Sequence, residues 1–117
     1  MEELNKEKIN KNFGNIFREH RIKKGYTQEE IAEELGISSK YISRVENGVQ
    51  GVSDETLIKY INILDIEPNK LYSCFLDNEN IKKQLELIEK IKNLPEGSLR
   101  FLDELLDLLM KWNKDKK

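Results

Sequence analysis

TQEEIAEELGISSKYISRVENG, residues 27–48, reads as two short helices joined by a tight turn. Thr27 followed three residues later by Glu30 is a capping box, in which each side chain satisfies a backbone N–H that the first turn leaves open. Ile31, Ala32 and Leu35 then share one helical face. Ala32 is small enough to let a second helix cross close by. Gly36 provides the left-handed residue that a sharp turn needs. Ser38 caps the next helix, which turns Ile42 and Val45 inward and stops at Asn47-Gly48.

On the N-terminal side, Phe13, Ile16 and Phe17 predict a helix over 12–24, with His20 at its packed edge and Gly25 as its stop. On the C-terminal side, Ser53 caps a fourth helix with Leu57, Ile58, Ile61 and Leu64 inward. Pro68 suits the first turn of a fifth, which carries Leu71, Tyr72 and Phe75. Five short helices therefore close one domain over 12–76, preceded by a flexible polar lead-in at 1–11. The composition then changes. Ile81, Leu85, Ile88 and Ile91 mark a helix over 77–93, Pro95-Glu96-Gly97-Ser98 makes a turn, and a last helix spans 98–113. The fold class is all-α, with a C-terminal helical hairpin at 77–113 and a loose tail at 114–117.

The chain has 117 residues, of which 38% are hydrophobic and 36% charged, and a net charge of −2. Cys74 stands alone, which excludes an intrachain disulfide and predicts a small buried apolar side chain. One His, one Cys, no Gly-rich phosphate loop and no spaced metal ligands argue against an enzyme, a cofactor or a metal site. No apolar run approaches the ~20 residues of a membrane span. The polar N-terminus lacks the apolar segment of a signal peptide, so a cytoplasmic protein is expected.

Arg21-Ile22-Lys23-Lys24-Gly25-Tyr26-Thr27-Gln28, Ile31-Ala32, Gly36-Ile37-Ser38 and Ile42-Ser43-Arg44-Val45-Glu46-Asn47-Gly48 together resemble the Cro and repressor (xenobiotic-response-element) family. The resemblance covers residues 12–72, about half the chain. It implies a lambda-repressor-like helix-turn-helix domain of a bacterial or phage transcriptional regulator, nucleoid-associated when bound. It also implies roles. Gln28 would touch a phosphate and Asn47 the DNA backbone. Ser39, Lys40, Ser43 and Arg44 would face the major groove, and Arg21 with Glu46 would form a partly buried ion pair. Helical geometry agrees with the groove assignment, because Ile42 and Val45 inward put those four side chains outward. Arg44 can bond guanine bidentately, and Lys40 can reach guanine or a phosphate. Ser38 at the helix start joins this surface. Tyr41 would pack on a sugar or a thymine methyl, or only cover the helix. Charge argues the other way: residues 1–72 carry 11 basic and 13 acidic side chains, so affinity must come from local placement.

One such domain covers few base pairs, and useful specificity needs two copies on a palindromic operator. The last helix offers a dimerisation surface in two stripes, Leu99, Leu102, Leu106 and Leu109 beside Phe101, Leu105, Leu108 and Trp112. A helix on a protein surface needs only one stripe. The layout also resembles that of sporulation and biofilm repressors of Gram-positive bacteria, which implies a possible anti-repressor partner for the C-terminal helices. The expected function is a homodimeric repressor of double-stranded DNA operators. The alternative is a protein-interaction module, such as an antitoxin or anti-repressor, with weak or lost DNA binding.

Overall fold

The computed structural model describes residues 4–115. Among them the chain is all-helical: α1 (Lys6–Lys24), α2 (Gln28–Leu35), α3 (Ser39–Glu46), α4 (Asp54–Leu64), α5 (Pro68–Tyr72), a 3-10 turn (Ser73–Phe75), α6 (Glu79–Lys92) and α7 (Ser98–Asp115). It divides after Leu76 into two compact units.

The capping signals act where the sequence puts them. Thr27 accepts from Glu30 N while the Glu30 carboxylate accepts from Thr27 N, both at 3.0 Å. Ser38 and Ser53 cap α3 and α4 through Tyr41 N and Thr56 N. Gly36 ends α2 at φ 73°. At α1 the expected start is corrected. Asn5 accepts from Lys8 N at 2.9 Å and opens the helix at Lys6, so residues 6–11 are helix and not a lead-in. Asn5 is an effective N-cap, and Ile9, half-buried one turn before Phe13, extends the apolar face beyond the expected start at 12. At the other end α7 continues through Lys114 and Asp115, two residues of the expected tail. The rest of the lead-in and tail, at 1–3 and 116–117, lies outside the described residues.

The first unit is built on Ile16, Phe17, Ile31, Ala32, Leu35, Ile42, Val45, Tyr60, Leu64, Ile66 and Leu71. Burying a side chain such as Phe17 or Leu35 contributes roughly 1.5–3 kcal/mol. Phe17 stacks on Tyr60 with ring centroids 4.1 Å apart and planes 5° from parallel. Phe13 meets the edges of Phe17 and Tyr72 and fastens α1 to α5. Two further expectations are corrected. Ile58 points outward, 58% exposed, and Tyr60 takes the inward place on α4. Cys74 is exposed, because the chain tightens into a 3-10 turn there and carries the thiol to the surface, where Asn12 Nδ2 lies 3.4 Å from Sγ.

Gly14 has a role that the hydrophobic pattern hides. It is buried in α1, and a Cβ there would stand 2.3 Å from the Val45 carbonyl oxygen. The end of α3 thus rests on bare backbone of α1.

The second unit is different in kind. No residue of α6 or α7 is buried. On α7, Leu102 is half-buried, while Leu99, Phe101, Leu105, Leu106, Leu108, Leu109 and Trp112 are exposed.

Candidate nucleic-acid interface

Helix α3 is held from beneath. Ile42, Val45 and Glu46 are buried, and with a 3.6-residue period the opposite side carries Lys40 and Arg44, with Ser43 on its flank and Ser39 in the open first turn. Ser39, Lys40 and Arg44 are exposed and Ser43 is half-buried. Asn47, the C-cap, is exposed as well.

Its electrostatics differ from those of its neighbours. α1, α2 and α4 all carry acidic side chains in their first turns, and α3 carries none. Its one carboxylate, Glu46, is buried and paired. The outward side therefore presents Lys40 and Arg44 without an acidic side chain of its own helix, and the positive end of the helix dipole is left uncompensated at Ser39. Glu29 and Glu30, and Asp54 with Glu55, already compensate the starts of α2 and α4. Those starts are correspondingly less suited to holding a phosphate by their backbone N–H groups alone.

Glu46 is the anchor behind α3. Arg21 donates from Nε to Oε2 at 2.6 Å and from Nη2 to Oε1 at 3.0 Å, and its Nη1 donates to the Tyr26 carbonyl at 2.8 Å. The Arg21 and Glu46 side chains are 12% and 2% exposed. The hydrogen bond to Glu46 holds the Arg21 guanidinium above its ordinary range. Leaving either charge alone at this depth would cost about 3 kcal/mol or more. Gln28 joins the pair through Nε2, 3.2 Å from Glu46 Oε1, which leaves its second amide N–H and its carbonyl oxygen. Gln28 thus sits where α2 meets the anchor of α3.

Tyr41 is tied back to the protein. Its hydroxyl donates to the Gly51 carbonyl at 2.9 Å, and its ring is half-buried against the core. Ser38 Oγ accepts from Tyr41 N at 3.1 Å, and the side chain is exposed. Arg44 Nε donates to Gln50 Oε1 at 2.9 Å. Gln50 and Gly51 stand outside the helix, and nothing in the spacing of the sequence singles them out. Only the folded turn after α3 brings them to Arg44 and Tyr41.

A helix-turn-helix family profile matches residues 17–71. The HTH-type transcriptional regulator ImmR of Bacillus subtilis is 31% identical over 93 residues, spanning 80% of this chain and 72% of that protein. SlrR of the same organism, also an HTH-type transcriptional regulator, is 33% identical over 62 residues, 52% of this chain and 41% of its own length. Among solved structures, the clp gene regulator ClgR of Corynebacterium glutamicum superposes with a TM-score of 0.51 at 25% identity, covering 90% of this chain and 93% of that one. With the capped α2–α3 pair, the buried Arg21–Glu46 anchor and the exposed side of α3, these likenesses lead to one assignment: the chain belongs to the Cro and repressor-type family of helix-turn-helix, DNA-binding transcriptional regulators.

Proposed function

We propose that the protein is a homodimeric repressor that reads a two-fold-symmetric DNA operator by laying α3 in the major groove. The observation that carries this is the side of α3 bearing Lys40 and Arg44, exposed and free of acidic side chains while the opposite side is locked into the core. Arg44 bonds a guanine through its terminal nitrogens. Lys40 reaches a base or phosphate, and Ser39 and Ser43 adapt to either. Ser38, Gln28 and Asn47 contact the sugar–phosphate backbone at the two ends of the reading surface. Tyr41 acts mainly by holding the turn after α3, with its ring edge available to a sugar.

Residues 77–113 serve as the dimerisation segment. Exposed Leu99, Phe101, Leu105, Leu106, Leu108, Leu109 and Trp112, with half-buried Leu102, present more apolar surface than a lone helix keeps in water, and a second copy of the chain covers it. The same surface would accept an anti-repressor with similar helices. No described helix is long and apolar enough to cross a membrane, which fits work in the cytoplasm on chromosomal or phage DNA. A second reading, a protein-interaction module with little DNA affinity, draws on the net charge of −2 and the exposed Glu29, Glu30, Glu33 and Glu34 of α2.

A gel shift on the DNA upstream of the protein's own gene, at low and moderate salt, separates the two. The repressor reading predicts a discrete complex that survives competitor DNA and weakens steeply with salt. Arg44→Ala should cost roughly 1–3 kcal/mol and relax preference at one base position. No retention at low salt would favour the interaction module.

A further inference from the structure

We propose that Gln50 is a specificity-determining residue that acts through Arg44, setting how the guanidinium meets a base. The inference rests on α3 being the DNA-reading helix and assigns a role to a residue outside it.

An arginine on an exposed helix has many rotamers of similar energy, and a base contact must select one. Here the Nε–H is already committed to Gln50 Oε1 at 2.9 Å. The terminal nitrogens have no partner among the described residues. A guanidinium bound at Nε has Nη1 and Nη2 left as a parallel pair of donors, the arrangement that fits O6 and N7 of guanine.

The brace is itself held. Gly48 N donates to the Val45 carbonyl at 3.0 Å and Val49 N to the Arg44 carbonyl at 3.1 Å, folding the turn back on α3. On the far side of Gln50, the Gly51 carbonyl accepts from Tyr41 Oη. Both chain neighbours of Gln50 are therefore fastened to α3, and Gln50 itself is half-buried, lining a cavity that residues of α1 and the start of α4 also line. A side chain on so fixed a backbone can orient Arg44 before DNA arrives. This saves the ordering cost that an unbraced arginine meets on binding.

The test selects duplexes from a random-sequence pool with the wild-type protein, then compares wild type, Q50M, Q50E, R44A and the Q50M/R44A double variant on the selected duplex and its single-base substitutions. Q50M keeps the length of the side chain without its acceptor, and Q50E keeps an acceptor. Q50M should bind the selected duplex about three- to tenfold more weakly and lose guanine preference at the position that R44A also relaxes. Q50E should retain that preference while binding all duplexes less tightly. In the R44A background Q50M should change affinity less than about twofold. Equal weakening on every duplex by Q50M, independent effects of Q50M and R44A, or loss of the preference in Q50E would overturn the inference while leaving the reading helix in place. A pool that yields no motif would overturn the DNA-reading assignment beneath it, and the inference with it.

Discussion

Tyr60 is the residue whose role is least visible in the chain and plainest in the fold. Its ring is fully buried on Phe17, and its hydroxyl is buried without a hydrogen-bond partner among the described residues. Burial first, then the nearby Glu46 carboxylate, pushes the phenol well above its ordinary value of 10.0. For an acid whose pKa is raised on folding, stability is highest below the unfolded pKa and falls as pH rises from there toward the folded value, because the unfolded chain ionises more readily. Tyr60→Phe should therefore flatten the loss of stability above about pH 10. At neutral pH it should raise stability by about 1 kcal/mol, since an unsatisfied buried hydroxyl is removed while the stack remains. Urea titrations of both proteins at pH 7 and pH 10.5 check this; a Tyr60→Phe protein less stable at pH 7 would show that the hydroxyl has a partner. The sequence reading puts Ile58 inward on α4, and the structure turns Tyr60 in instead. Hydropathy favours the isoleucine. The decision lies in a tertiary partner, the flat face of Phe17, which no local pattern contains. Arg21 and Glu46, 25 positions apart, come together in the structure, yet only the family resemblance pairs them in the sequence.

Helix ends were legible and helix contacts were less so. Thr27, Ser38 and Ser53 open α2, α3 and α4, and Gly36 closes α2, because caps act within four residues and leave their signature locally. The early start of α1 at Asn5 has a local cause too, and Ile9, four residues before Phe13, carries the same face one turn further than the expected start. Gly14 carries the larger lesson. In a helix interior glycine reads as a weakness of about 1 kcal/mol against alanine. Here it is a point where α1 and α3 touch, and a methyl group would meet the Val45 carbonyl at 2.3 Å. Gly14→Ala should therefore destabilise, by about 2 kcal/mol or more, despite its better helix propensity. Because α3 would have to shift, DNA affinity should fall with it. Chemical denaturation gives the sign: a stabilised Gly14→Ala protein would mean that the helices can separate freely.

The two units divide the work of the molecule differently. The first has a closed core and leaves the Lys40 and Arg44 side of α3 exposed. Among its described residues the second has none buried and keeps large apolar side chains exposed, an arrangement that calls for a partner surface on the proposed reading. Both apolar stripes of α7 were evident in the sequence, since helical periodicity is a local property. On the proposed reading a second copy of the chain covers them, a contact that periodicity within one helix does not register. Replacing Leu102 and Leu106 by polar residues should give monomers by light scattering, with operator affinity reduced at least about tenfold because one domain alone grips half a site. Dimers that persist would move the interface elsewhere.

Guanine N7 lies only in the major groove, so methylation interference on a selected duplex addresses the role of α3 itself. Wild-type protein should be blocked by N7 methylation at two symmetry-related guanines about one helical turn apart, and Arg44→Ala should be indifferent to methylation at those same guanines. Interference at minor-groove adenine N3 alone, or a pattern that Arg44→Ala leaves unchanged, would contradict the account.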